Sequence, residues 1–472
     1  MGKNILVFSD GTGLRGGIFF GEKRSNVYKL YRATYSGPNS RINPAEQLVF
    51  YDPGVGSIPR GWASAFGRWC YNFIGLATGM GLTANIIDCY AAIIRRWEPG
   101  DRIFLFGFSR GAYTVRCLAS VLSLCGIPTR MKNDAELKCD DPTSIRRIAR
   151  EAIRTVYQHT SSWNPDTATP RHKELLAERE LLAQNFRATY HSDFIGESNA
   201  YPYFIGVLET VASFWRLDVI LLIAAMLVCL ILSFSFLLSL VALSFLRSVA
   251  LSLTILIIMM IVGYLWTHIK LRPEIPSQST RLPRVHLAEP LMKFYDTSLN
   301  RNVVFARHAL AIDERRAAFD PVTWDDTKTL KCSIWKEIPW FKEVWFSGNH
   351  SDIGGDCIEN ESRLSDISLK WMLDEAIRVP NGIKVDKAVL KLDPTAAGMQ
   401  HDQTGDFPFC FQGKKDRAIR PDACLHTSVY ERCRLTAVLR NKTMAKYRPT
   451  SLSSHPEFQR VASEADSGNN KV

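Results

Sequence analysis

The sequence predicts an α/β fold: a mostly parallel sheet with helices on both faces, interrupted by a hydrophobic two-helix hairpin. Three observations carry this. Short apolar runs alternate with helical patterns, which favours parallel strands joined by helical crossovers. Gly107-Phe108-Ser109-Arg110-Gly111 sits between one such run and one such helix. From Leu217 to Trp266 only Asp218 and Arg247 are charged.

Taken in order, the strands expected are Ile5–Phe8, Gln47–Tyr51, Ile103–Phe106, Tyr203–Leu208 and Glu343–Ser347. Each is a short, largely apolar run, as buried strands are. The helices expected are Leu82–Trp97, Ala112–Leu124, Ser144–His159 and Ser365–Ala376. In the second, Val115, Leu118, Ala119 and Leu122 recur at helical spacing. The chain opens straight into its first strand, without the long apolar core of a signal peptide. The apolar segment is too long for one span, since about 50 helical residues would run about 75 Å. Two membrane-spanning helices are expected instead, roughly Val219 to Leu238 and Val249 to Leu265, with Arg247-Ser248 near the turn. Arg216 before the hairpin and Lys270, Arg272, Arg281 and Arg284 after it place both flanks in the cytoplasm by the positive-inside rule. The organisation expected is therefore 1–215 and 268–450 as two parts of one catalytic domain, 216–267 as a two-pass membrane hairpin, and a polar, disordered tail at 451–472.

Composition narrows the function. With 46% hydrophobic and 22% charged residues the chain is globular, and its net charge of +11 is not gathered into one block. That charge suits contact with an anionic phospholipid surface, and no aromatic-interleaved basic stripe argues for nucleic acid. The eleven cysteines form no C-x-x-C pair, which indicates reduced thiols without a disulfide framework or zinc site. Neither a metal nor a cofactor is expected.

The pentapeptide around Ser109 carries the chemistry. Strand, sharp turn and helix make a nucleophile elbow, which lifts a serine hydroxyl to the carboxyl edge of a sheet. The hydroxyl needs a base, and the base needs an acid to orient it. His350 follows the Glu343–Ser347 strand in a turn rich in glycine and short polar residues. His308, read as lying in a helix, and His426, just before a helix start, compete with it for the base role. For the acid, Glu209 at the end of Tyr203–Leu208 and Asp352 beside His350 are rivals. Gly11 and Thr12, after the first strand, with the N–H of Arg110, are candidates for an oxyanion hole. A metallohydrolase reading would instead join Asp10, His350, Asp352 and Asp356 around a divalent cation.

The motifs resemble the α/β-hydrolase domain family that includes the phospholipase effectors of type VI secretion systems. Matching stretches are Phe8-Ser9-Asp10-Gly11-Thr12, Tyr51-Asp52-Pro53-Gly54-Val55-Gly56, Gly107-Phe108-Ser109-Arg110-Gly111-Ala112, Gly206-Val207-Leu208-Glu209-Thr210, His308-Ala309-Leu310-Ala311-Ile312-Asp313-Glu314 and His350-Ser351-Asp352-Ile353-Gly354-Gly355. The resemblance implies an α/β-hydrolase-like fold and serine-dependent hydrolysis of lipid esters, with membrane phospholipid as substrate. The family usually has Asp where Glu209 stands and Gly where Asp356 stands. A reading from another class is a non-catalytic membrane protein, a defence or immunity component, that keeps a hydrolase-like fold.

Overall fold

The computed structural model describes residues 2–468 apart from 12, 15, 17–21, 55–79, 162–167, 212–227, 230, 234, 237–243, 272–284, 288–297, 325–333, 336, 407–412 and 442. Its centre is a six-stranded sheet of β1 (Asn4–Ser9), β2 (Gln47–Asp52), β3 (Arg102–Phe108), β4 (Pro202–Leu208), β5 (Phe305–Ala311) and β6 (Phe341–Phe346). All five neighbouring pairs are parallel, in the order β6-β5-β4-β3-β1-β2. The helices are α1 (Asn26–Thr34), α2 (Met80–Ile94), α3 (Arg110–Cys125), α4 (Pro142–Glu151), α5 (Pro170–Tyr190), α6 (Phe245–His268), α7 (His350–Gly354), α8 (Arg363–Arg378), α9 (Thr427–Arg434) and α10 (Pro456–Gly468).

Alternation along the strands builds two cores. Ile103, Leu105, Val7, Ile205 and Val207 meet Ile86, Tyr90, Val115, Leu118, Ile148 and Phe186 of α2 to α5 on one face. On the other, Leu6, Phe8, Phe104, Phe106 and Phe204 meet Val27 and Leu30 of α1 and Leu369 and Met372 of α8. The rings of Phe8 and Phe106 stack at 5.1 Å, and Phe106 meets Phe204 at 5.5 Å. Each such fully buried Phe is worth about 1.5–3 kcal/mol of burial. From β1 the sheet grows one way to β2 and the other way through β3, so the order reverses between β1 and β3. In open α/β sheets ligands bind at the carboxyl ends of the strands beside such a reversal.

Three expectations are corrected. The two-span membrane hairpin is overturned: no helix among the described residues is long and apolar enough to cross a membrane. Of Val219 to Leu238 the described residues are 228–229, 231–233 and 235–236, all of them helical. Helix α6 starts at Phe245, so Arg247 and Ser248 fall inside it rather than at a turn, followed by Ser252 and Thr254. Low charge marks a segment as apolar, but a span needs about 20 consecutive, predominantly apolar helical residues. The cytoplasmic placement derived from that hairpin falls with it.

Of the tail expected to be disordered, the described residues include the helix Pro456–Gly468. Phe458, Val461 and Ala462 of α10 recur at helical spacing and pack with Val429 and Cys433 of α9 against Leu310 and Trp345 of the sheet. These three were hidden in a polar composition. Finally, His308 is not helical: it lies in β5, whose seven residues are all buried. Phe-Ala-Arg-His-Ala-Leu-Ala gives no clear period, and its charged member is paired internally, Arg307 with Glu375.

Candidate active site

Ser109 stands between β3 and α3 with φ 57° and ψ −119°, a strained conformation for a residue with a side chain. Its N–H donates to the carbonyl of Leu208 at 3.0 Å, which ties the turn to the end of β4. Both flanking glycines are required by space. A Cβ on Gly107 would lie 2.5 Å from the Ala112 Cα, and one on Gly111 would lie 2.0 Å from the Ser9 carbonyl oxygen. Ser109 thus lies at the strand-to-helix turn that the sequence marks, at the carboxyl edge of the sheet.

Glu209 follows β4 at the same edge, also with positive φ (47°), and is fully buried. Its Oε1 accepts from the Ala311 N–H at 2.6 Å, and its Oε2 from the Arg417 guanidinium at 2.9 Å. The same Oε2 lies 3.0 Å from His350 Nδ1. Burial opposes its ionisation, but Arg417, His350 and the Ala311 N–H outweigh that and hold its carboxyl at about 2. The imidazole tautomer that donates Nδ1–H to a carboxylate carries its lone pair on Nε2.

His350 is set by its surroundings as tightly as by Glu209. It is the first residue of α7, whose Asn349 and Asp352 form a capping box with two 3.0 Å bonds. Its backbone N–H donates to Glu314 Oε2 at 3.2 Å, and Glu314 is held by Arg316 through both carboxylate oxygens at 2.9 and 2.7 Å. The imidazole packs between Phe108, the residue before Ser109, at 4.7 Å and Phe319 at 5.0 Å. Arg316 covers the Phe319 ring at 3.7 Å.

The sequence-selected residues thus separate. Glu209 and His350 meet beside the elbow. Asp352 turns away: its Oδ1 lies 2.6 Å from His401 Nδ1 and its Oδ2 caps α7. His308 pairs with Glu343 at 3.2 Å, and His426 caps α9, accepting from the Ser428 N–H at 3.3 Å. The N–H of Gly11 is taken by Asp10 Oδ1 at 2.7 Å, so Gly11 is not the oxyanion donor expected. Thr12 lies outside the described residues. Arg110 is the first residue of α3, with its backbone N–H at the helix's positive end.

The four proposed cation ligands do not assemble either. Asp10 is buried and accepts from Ser25 Oγ at 2.5 Å and Tyr51 OH at 2.7 Å. Burial pushes its carboxyl up to about 6, against those hydrogen bonds. Arg417, Glu314, Arg316 and Phe319 were not found from sequence. Arg417 follows Lys414-Lys415-Asp416, which reads as a solvated charge run, and only its buried contact with Glu209 shows otherwise.

Residues 3–375 match the family described as the catalytic domain of Tle1-like phospholipase effectors of type VI secretion. The uncharacterized protein YEL023C of Saccharomyces cerevisiae is 27% identical over 198 residues, covering 41% of this chain and 25% of its own length. The crystal structure of an uncharacterized protein from Pseudomonas aeruginosa aligns with 82% of this chain and 48% of its own, at 14% identity and a TM-score of 0.35. The Tle1 effector bound to the VgrG spike of the type VI secretion system aligns with 75% of this chain and 51% of its own, at 15% identity and a TM-score of 0.27. The chain therefore spans about a quarter of the yeast relative and about half of each solved structure. A six-stranded parallel sheet, a serine on a strained elbow and a family match over most of its length lead to one statement: the chain belongs to the Tle1-like type VI secretion phospholipase effector catalytic-domain family.

Proposed function

We propose that the chain is a serine hydrolase that cleaves carboxylic esters of phospholipids through Ser109, His350 and Glu209. The observation that carries this reading is the 3.0 Å contact between His350 Nδ1 and the buried, ionised Glu209, made beside the Ser109 elbow. His350 Nε2 takes the Ser109 Oγ proton as Oγ attacks the ester carbonyl, giving a tetrahedral oxyanion. The Arg110 backbone N–H, following the nucleophile, is the donor expected to meet that oxyanion. Collapse expels the alcohol, which receives the proton from His350. A water, activated by the same imidazole, then hydrolyses the acyl-enzyme and restores Ser109. Glu209 stays ionised throughout and steadies the imidazolium. The phospholipid class comes from the family description, and the net charge of +11 suits an anionic lipid surface.

A fluorophosphonate probe tests the nucleophile, and lipid mass spectrometry with wild type against Ser109→Ala tests the substrate class. Labelling at Ser109 with release of fatty acid from phospholipid is expected. Absence of both from folded protein would favour the reading in which a hydrolase-like fold has no catalytic role.

A further inference from the structure

The far side of α7 holds a second cluster. Asp352 Oδ1 lies 2.6 Å and Cys357 Sγ 3.6 Å from His401 Nδ1, and all three donor atoms are within 4.8 Å of one another. Asp352 and Cys357 are buried, while the His401 side chain is 18% exposed, leaving a path to solvent. The other ring nitrogen, Nε2, lies 3.3 Å from Glu361 Oε2.

This donor set has a chemical preference. Thiolate, imidazole and carboxylate together suit a borderline-soft ion such as zinc and not magnesium or calcium, which take oxygen. Metal-bound histidines usually donate their other N–H to a carboxylate, which fixes the tautomer that points a lone pair at the ion. Glu361 stands where that partner belongs. Metal–ligand bonds of about 2.0–2.3 Å around a tetrahedral ion separate N and S donors by about 3.6 Å and N and O donors by about 3.4 Å. The Cys357–His401 separation already has that value, and the Asp352–His401 contact must open by less than about 1 Å.

We infer that Asp352 Oδ1, Cys357 Sγ and His401 Nδ1 form a zinc site, with Glu361 as the outer carboxylate and the fourth position open to solvent. In the metal-free protein a proton joins Asp352 to His401. On binding, the thiol and His401 Nδ1 each release a proton to solvent, Nε2 keeps the N–H donated to Glu361, and the ion takes the place between the three ligands. The sequence hid this site because its ligands are separated by 5 and 44 residues and no C-x-x-C marks them. Asp352 also caps the helix that begins with His350, so the ion would fasten that helix to the segment carrying His401. Metal coordination at these residues needs no substrate and is independent of ester hydrolysis.

Cobalt(II) chloride is titrated into chelator-stripped full-length protein and followed by absorption. One equivalent should bind with tetrahedral visible bands and a thiolate-to-cobalt charge-transfer band in the near-ultraviolet, and zinc sulfate should displace it. Cys357→Ser should lose the near-ultraviolet band, while Cys139→Ser, at an exposed thiol elsewhere, should keep it. Glu361→Gln should keep the band and weaken binding about 10–100-fold, and it serves as the informative variant if Cys357→Ser fails to fold. Wild type without the thiolate band, a band that survives Cys357→Ser, or unchanged affinity in Glu361→Gln would overturn the site.

Discussion

Glu209→Gln tests the proposed machinery most sharply, because the same carboxylate serves catalysis and stability. Its Oε2 meets both His350 Nδ1 at 3.0 Å and Arg417 at 2.9 Å. An amide there removes the charge that steadies the imidazolium and can present N–H to Nδ1, selecting the wrong tautomer. In serine hydrolases the acid-to-amide change lowers kcat about 10⁴-fold, or about 5.4 kcal/mol at 1.36 kcal/mol per decade. The substitution also strands the buried Arg417, for which removal of one partner of a buried pair costs about 3–5 kcal/mol. That is a large share of a typical stability of about 5–15 kcal/mol, so turnover must be measured at low temperature on protein shown to be folded. The double variant Glu209→Gln/Arg417→Met separates the two effects. It should recover much of the stability in urea denaturation while kcat on a short-chain ester stays low. Near-normal turnover by folded Glu209→Gln, with loss of turnover in Asp352→Asn instead, would refute the assignment of the acid. The pair has a pH signature as well. The folded carboxyl sits at about 2 against 4.5 for the free side chain, so its contribution is complete above about pH 4.5 and is lost as pH falls towards 2.

The remaining predictions follow from single contacts. Ser109→Ala should lower kcat by on the order of 10⁶ with the fold intact, and ester turnover with circular dichroism checks both. Asp352→Asn should cost about 1 kcal/mol through the α7 cap and leave kcat within about tenfold, because Asp352 faces His401. Gly111→Ala drives a Cβ into the Ser9 carbonyl and should cost at least about 3 kcal/mol, whereas Gly405→Ala, with open space around it, should stay within about 0.5 kcal/mol; thermal unfolding compares them. Asp52 is buried and its carboxyl rises to about 7 despite hydrogen bonds from Ser9 and Asn85 at 2.8 Å. A raised acid binds its proton more tightly when folded, so stability falls as pH rises from about 4 to 7. Asp52→Asn should flatten that fall in urea titrations at pH 5 and pH 7.5, and an unchanged slope would count against it.

What the sequence determined by itself was local. Alternating apolar runs fixed five of the six sheet strands, because a strand buried on both faces needs continuous apolar residues whatever its neighbours. The Ser109 elbow was equally legible, since only glycine fits where the Ala112 Cα and the Ser9 carbonyl come so close. The rest depended on contacts between distant residues. The strand Phe305–Ala311 escaped because the carboxylates that meet its Arg307 and His308, Glu375 and Glu343, lie far along the chain. The membrane hairpin was inferred from charge depletion, a property of composition, whereas a span depends on continuous apolar helix. Glu209 and Asp352 were close rivals in one dimension. Only the tertiary structure turned one carboxylate to His350 and the other to His401, and brought Arg417, 208 positions along the chain, onto the first. Pattern records which side chains must be buried; which charges meet is decided by packing, where a buried carboxylate must find its partners wherever the chain brings them.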